Sequence, residues 1–392
     1  MKTEKMNPAR ERNLRALAKL MNQQNITSIP VTKKLLNCFD LVITPEENDF
    51  LLKLGTKKRT FDEALHISQL LPDSFKILFN EMLSKGLIWT SYAEEGTEYY
   101  NLAPILLGWF EIYLSDGQET ERKKEFAHRV EELFESWGKL NVFPVRNLWN
   151  FKHSKGTAHR RIYSVDKSGN QTIRVQLNRK IDAADTKIYP AQSVFELIEK
   201  YGTKNEIAVV HCFCRQWHKM IENSCRFDFP AESCVVIGSL SKYVVNYGIG
   251  KYISKKEALE LILELQSKGA VHQVYHERED INLQEIAICN CCWDCCGILG
   301  SYNRARLPLH FKSYYLSEIS NIKNCTGCKR CVKYCPVEAL TMRGKKVALD
   351  TGKCIGCGQC ELKCEENVFK LCYVERDVIL PLRKKVSARI KS

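Results

Sequence analysis

No stretch of this 392-residue chain approaches the 18 consecutive apolar residues that a membrane-spanning helix needs. Residues 1–12 are charged and carry no apolar core of the signal-peptide kind, so a soluble, cytoplasmic protein is expected. There is no G-x-G-x-x-G turn, no P-loop and no hydrolase motif, which removes sequence support for dinucleotide, nucleotide and hydrolytic chemistry. Cysteine, in contrast, is abundant at 19 residues. Without a secretory signal these are poor candidates for disulfides, and so many oxidisable thiols point to a reducing, anaerobic cell. Hydrophobic content is ordinary at 44%, which allows a sizeable core without metal support. The length allows roughly two to four domains.

Eight of the cysteines form two copies of one run. Cys325, Cys328, Cys331 and Cys335 have the spacing C-x2-C-x2-C-x3-C, and Cys354, Cys357, Cys360 and Cys364 repeat it. Three thiolates on a tight loop reach three corners of an iron–sulfur cube, and the fourth corner needs a ligand from elsewhere. In a two-run arrangement the last cysteine of each run serves the other cluster. The expected sets are therefore Cys325, Cys328, Cys331 and Cys364 for one [4Fe–4S] cluster, and Cys354, Cys357, Cys360 and Cys335 for the other. Gly327, Gly356 and Gly358 suit the tight turns. Zinc, which favours paired C-x2-C knuckles, would leave cysteines unexplained.

Over residues 311–377 the chain resembles the bacterial-type two-cluster ferredoxins, and the flanking pattern agrees. A first strand is expected at 313–319, a short helix at 337–340 after Pro336, a hairpin at 340–349 turning at Arg343-Gly344-Lys345, and a closing strand at 368–374. The resemblance implies a pseudo-symmetric ferredoxin fold and one-electron transfer.

A second constellation lies upstream. Cys212, Cys214, Cys225, Cys234, Cys289, Cys291, Cys292, Cys295 and Cys296 fall within 85 residues, too dense for ordinary packing cysteines. Cys212, Cys214, Cys225 and Cys234 make one plausible four-thiolate set. Adjacent thiols diverge, so Cys291-Cys292 and Cys295-Cys296 cannot all serve one small site. On a helix, Cys291 would share a face with Cys295, and Cys292 with Cys295 or Cys296. A subset is expected to ligate a third iron–sulfur cluster, ahead of a larger cluster and of zinc. Arg215 beside Cys214 is placed to stabilise an added electron. His211, His218, His272 and His276 are read as packed or solvated residues rather than ligands.

This layout is similar to multi-cysteine iron–sulfur proteins of anaerobic bacteria and archaea, in which a Cys-x-Cys-Arg segment and a Cys-Asn-Cys-Cys run precede a two-cluster ferredoxin. The similarity spans about residues 51–377, and it implies iron–sulfur binding and electron transfer. Where those proteins carry a further cysteine after Cys292, this chain has Asp294.

Elsewhere the pattern is conventional. Residues 207–210 read as an apolar strand. Ser254-Lys-Lys-Glu257 opens a helix at 255–267 with Ala258, Leu259, Ile262 and Leu265 on one stripe, Gly269 ends it, and 271–275 follows as a strand. Toward the N-terminus, helices at 44–54, 60–70 and 72–85 precede a hairpin of 87–92 and 98–102, a winged-helix order. Asp73, Glu81, Glu94, Glu95 and Glu98 oppose Lys76 and Lys85 there, which favours a protein-interaction or spacer role over DNA binding. An amphipathic helix at 119–137 and a mixed segment to residue 186 complete the connection.

The formal charge is +13, lowered by thiolate-ligated clusters. Arg383, Lys384, Lys385, Arg389 and Lys391 concentrate part of it in the last residues, where a solvated tail is the first expectation and docking to an acidic partner the second. Nucleic acid fits less well, since no aromatics interleave the charges.

Together these readings give an α+β multidomain chain: an N-terminal helical segment (1–43), a winged-helix-like region (44–112), a helical and mixed connection (113–190), a cysteine-rich α/β domain (191–310), a ferredoxin-like fold (311–378) and a basic tail (379–392). The expected function is iron–sulfur electron transfer as a relay or as a subunit of a redox complex, with redox proteins as partners. The alternatives are an oxidoreductase with its catalytic site at the upstream cysteines and a redox-responsive DNA-binding regulator.

Overall fold

Residues 207–210 and 235–237 are apolar at every position, so neither face of the strands they form can be left to solvent, and both are covered. The computed structural model describes residues 6–25, 29–93, 96–140, 159–163, 194–201, 207–276 and 286–391. Its strands are β1 (Ile88–Tyr92), β2 (Glu98–Leu102), β3 (His159–Tyr163), β4 (Ile207–His211), β5 (Glu232–Ile237), β6 (Gly250–Tyr252), β7 (Val271–His276), β8 (Ile286–Cys291), β9 (Leu309–Ile319), β10 (Leu340–Arg343), β11 (Lys346–Leu349) and β12 (Phe369–Leu380).

Eight of them form one sheet in the order β12-β9-β3-β7-β8-β5-β4-β6. Every pairing in it is antiparallel except β3 with β9. Strand alternation divides the side chains between two cores. Ala208, Val210 and Val236 join Phe213, Trp217, Tyr243 and the N-terminal helices on one face. Ile207, Val235, Ile237, Val274 and Ile288 meet the helices Val194–Tyr201 and Lys255–Lys268 on the other.

The expected N-terminal order is present as the helices Pro45–Leu54, Phe61–Ser68 and Pro72–Ser84 and the β1-β2 hairpin, preceded by Pro8–Gln23 and Lys33–Val42. Capping boxes start three helices: Thr44 with Glu47, Thr60 with Glu63, and Ser254 with Glu257. The helix expected at 60–70 stops at Ser68 because Gln69 turns left-handed, φ 62°. The amphipathic helix expected at 119–137 is present as Glu121–Leu140, and the rest of the mixed segment expected up to residue 186 lies outside the described residues apart from β3. No helix among the described residues is long and apolar enough to cross a membrane.

Two expectations near the C-terminus are corrected. No helix forms at 337–340: Pro336 follows Cys335, Glu338 is left-handed with φ 56°, and the helix sits earlier at Arg330–Tyr334. The flanking strands are also longer than expected. β9 and β12 pair from Phe369 opposite Ile319 to Leu380 opposite Leu309, and β9 also pairs β3, so they continue the central sheet.

Candidate metal centres

The eight ferredoxin-type cysteines are gathered around two cavities in crossed fours. Cys325, Cys328, Cys331 and Cys364 line a cavity of about 470 Å³, its open mouth included. Cys354, Cys357, Cys360 and Cys335 line the second, of about 330 Å³. Cys328 is exposed, whereas Cys335, Cys354 and Cys360 are buried. The two loops are pseudo-symmetric in their backbones: Gly327 and Gly356, Lys329 and Gly358, and Glu338 and Asn367 are all left-handed, at the same offset as the two cysteine runs. A Cβ on Gly327 would come within 2.8 Å of the Lys345 carbonyl, and one on Gly356 would collide with that of Tyr315.

The donors suit iron–sulfur clusters: soft sulfurs in fours, with hydrogen bonds aimed at them. Ala339 N–H donates to Cys335 Sγ at 3.2 Å and Gly356 N–H to Cys354 Sγ at 3.4 Å. Ser317 Oγ lies 3.0 Å from Cys360 Sγ, a contact the linear pattern did not reveal because Ser317 sits inside a strand. Burial pushes the thiols of Cys357 and Cys360 well up and that of Cys331 up to about 11, so a bound metal must displace their protons.

The nine upstream thiols divide into two groups. Cys225, Cys292 and Cys295 stand together, with Cys292 Sγ 3.4 Å from both partners' sulfurs and all three within 4.8 Å. The other six form a row: Cys289 interacts with Cys234, Cys234 with Cys212, Cys212 with Cys214, Cys214 with Cys296 and Cys296 with Cys291. This corrects the set of Cys212, Cys214, Cys225 and Cys234, since Cys225 belongs to the other group. The cause is strand parity. Cys289 and Cys291 share the β8 face with Cys234 across the sheet, and Cys292 leaves the strand on the opposite side. The 292–296 segment is a turn rather than a helix, so Cys291 pairs with Cys296 and Cys292 with Cys295. Each group contains a thiol driven toward thiolate: Cys225 down to about 3 by Cys292 and Cys295, and Cys212 well down by Cys214 and Cys234.

Arg215 lies between the groups. Buried at 8% exposure, it donates to Ser233 Oγ and to the Asn290 carbonyl at 2.7 Å, covers the Phe229 ring at 4.6 Å, and feels the charge of Cys212, Cys295, Cys292 and Cys234. Asp294 is not in the three-thiol group. Its carboxylate accepts from Arg226 N–H at 2.9 Å and pairs with Arg304 at 3.2 Å. Nor do the histidines join it. His218 packs on Trp217 and His272 hydrogen-bonds Asn290 Oδ1 at 2.5 Å; burial lowers both to about 4. His211 lies against Gly117, and the side chain of His276 is outside the described residues.

The upstream groups adjoin the ferredoxin loops. Cys291 and Cys296 share an apolar cluster with Cys331, Cys335, Cys354 and Cys360, and Gln359 Nε2 donates to Ala270 O at 2.6 Å. The tail, expected to be solvated, exposes Lys384 and Lys385 but is docked here through Arg383, Ser387 and Arg389. Arg383 and Arg389 pair with Glu338, Ser387 N–H donates to Asn303 O at 2.7 Å, and Arg226 Nη1 donates to Arg389 O at 2.6 Å.

Comparison with known proteins agrees with the C-terminal part. Residues 324–368 match the family described as the 4Fe-4S dicluster domain, which supports iron–sulfur electron transfer. The chain is also similar to "Putative oxidoreductase UacF" of Escherichia coli (strain K12), with 30% identity over 92 residues. The match covers 21% of this chain and 14% of that protein. No solved structure matches the chain.

Proposed function

We propose that this protein is an iron–sulfur electron-transfer protein. The crossed fours of cysteines would hold two [4Fe–4S] clusters, the six-thiol row would hold a third, and the whole would act as a relay or as a subunit of a redox complex. The observation that carries this reading is the single apolar core that Cys291 and Cys296 share with Cys335, Cys354 and Cys360 of the second ferredoxin group. A bound [4Fe–4S] cluster accepts and releases one electron. The chain's residues insulate and bias that chemistry. The loop of Cys328, Lys329 and Arg330 presents the first group at the surface to a partner protein. Ser317, Ala339 and Gly356 direct hydrogen bonds at the buried sulfurs, and Arg215 places a cation beside the upstream thiols.

A second reading, an oxidoreductase whose substrate reacts at the upstream cysteines, is favoured by the three-thiol group with Arg215 beside it. DNA binding gains no support: the helix Pro72–Ser84 exposes Asp73, Lys76, Ile77 and Glu81, a mixed surface rather than a basic one.

Iron and acid-labile sulfide in anaerobically purified protein, measured beside low-temperature electron paramagnetic resonance, test the proposal. About twelve iron per chain is expected, and about eight would remove the upstream cluster.

A further inference from the structure

Thiolates that bind one metal ion stand closer together than thiolates that bind separate corners of a cube. On a single tetrahedral ion with metal–sulfur distances of about 2.3 Å, the sulfurs lie about 3.8 Å apart. Cys225, Cys292 and Cys295 match this, with two separations of 3.4 Å and none above 4.8 Å. The ferredoxin cysteines supply an internal standard. Although gathered in fours around their cavities, no three of them close to within 4.8 Å, and neither do three of the six-thiol row; among the described residues the close trio is alone.

We infer that Cys225, Cys292 and Cys295 form a separate site for a single tetrahedral metal ion of the zinc class, with an exchangeable fourth ligand. The inference rests on the reading above only in leaving the remaining upstream thiols to iron. Three observations support it. No other histidine, cysteine or carboxylate of the described residues joins the trio, and three protein ligands with an open position are the pattern of reactive rather than structural zinc. Cys292 and Cys295 are buried at 1% each among Phe229, Leu265 and Ala270, while Cys225 is only partly buried, so access is from one side. A divalent ion with three thiolates carries one net negative charge, and Arg215 is the buried cation placed to offset it.

The test uses the full-length protein purified anaerobically with its clusters. Elemental analysis should find about one non-iron divalent ion per chain, and X-ray absorption at that metal should show three sulfur neighbours and one lighter atom. Cys225→Ser should lower that ion at least five-fold with iron unchanged, and Cys212→Ser should lower iron and leave the ion. Cys225→His, which keeps a zinc ligand, should restore it. If the wild type is isolated without such an ion, added Co²⁺ should give one equivalent with a thiolate charge-transfer band, absent in Cys225→Ser. Loss of about four iron from Cys225→Ser would overturn the inference, as would equal zinc in wild type and variant, meaning an adventitious ion only, or no Co²⁺ uptake. About eight iron beside one such ion would contradict the upstream cluster while supporting this site.

Discussion

The guanidinium of Arg389 lies 4.5 Å from the centre of the Trp293 ring, and its Nη1 donates to the Cys335 carbonyl at 2.7 Å. One tail residue thus touches both the loop of the three-thiol group and the last cysteine of the first ferredoxin run. Glu338 completes the clamp by accepting from Ser387 and pairing with Arg383 and Arg389. Arg389→Ala removes a charge-assisted hydrogen bond, a cation–π contact and an ion pair at a side chain that is 19% exposed. It should destabilise tail docking by about 2–4 kcal/mol. Limited trypsin digestion reads this directly: cleavage at Arg383, Lys384 and Lys385 should accelerate in the variant, and an unchanged rate would mean that the tail is held by other contacts.

His218 makes stability depend on pH. Burial, with Arg304 nearby, lowers it from 6.5 to about 4. A depressed folded value means that the unfolded chain takes up the proton first, so the stabilisation is complete above pH 6.5 and declines as pH falls toward 4. Between pH 7 and pH 5 the loss should be about 2 kcal/mol, read as a lower urea midpoint by circular dichroism. His218→Gln should flatten that slope, and an equal slope in the variant would assign it to other groups.

Arg215→Gln should make the upstream site harder to reduce. A buried cation near developing negative charge contributes on the order of 100 mV at an effective dielectric constant of about 20. In a titration followed by electron paramagnetic resonance, the upstream signal should move to lower potential while the ferredoxin signals stay. A common shift of all signals would point to a global change in structure.

Gly356 has φ 70°, and any Cβ there collides with the Tyr315 carbonyl. Gly356→Ala should displace the loop of Cys354, Cys357 and Cys360 from β9 and cost more than about 2 kcal/mol. The expected readout is a loss of iron confined to that group. Gly344→Ala, at a hairpin turn that is also left-handed, φ 59°, but has open space around it, carries the backbone strain without the collision and should retain full iron.

Local signals were legible wherever a few neighbouring residues decide the structure. The spacing of the two cysteine runs, the Ser254 and Glu257 box and the pairing of the strands expected at 87–92 and 98–102 all carry their reasons within a few positions. The upstream grouping does not, because Cys225 meets Cys292 across 67 residues and the partition follows from which face of β8 each cysteine takes. The same holds for the tail. Arg383 and Arg389 look solvated until Glu338, Trp293 and Asn303 are brought beneath them, and nothing in their own spacing announces those partners. The helix expected at 337–340 failed for a local reason, the left-handed Glu338, which a non-glycine residue does not advertise.

Crossed ligation is the centre of the account, and Cys335→Ala tests it most directly. In the anaerobically purified variant, electron paramagnetic resonance should show the signal associated with Cys354, Cys357 and Cys360 altered or lost, and that of Cys325, Cys328 and Cys331 retained. Cys364→Ala should give the reverse. If Cys335→Ala perturbs only the cluster of Cys325, Cys328 and Cys331, each run serves its own cluster and the crossed arrangement is wrong.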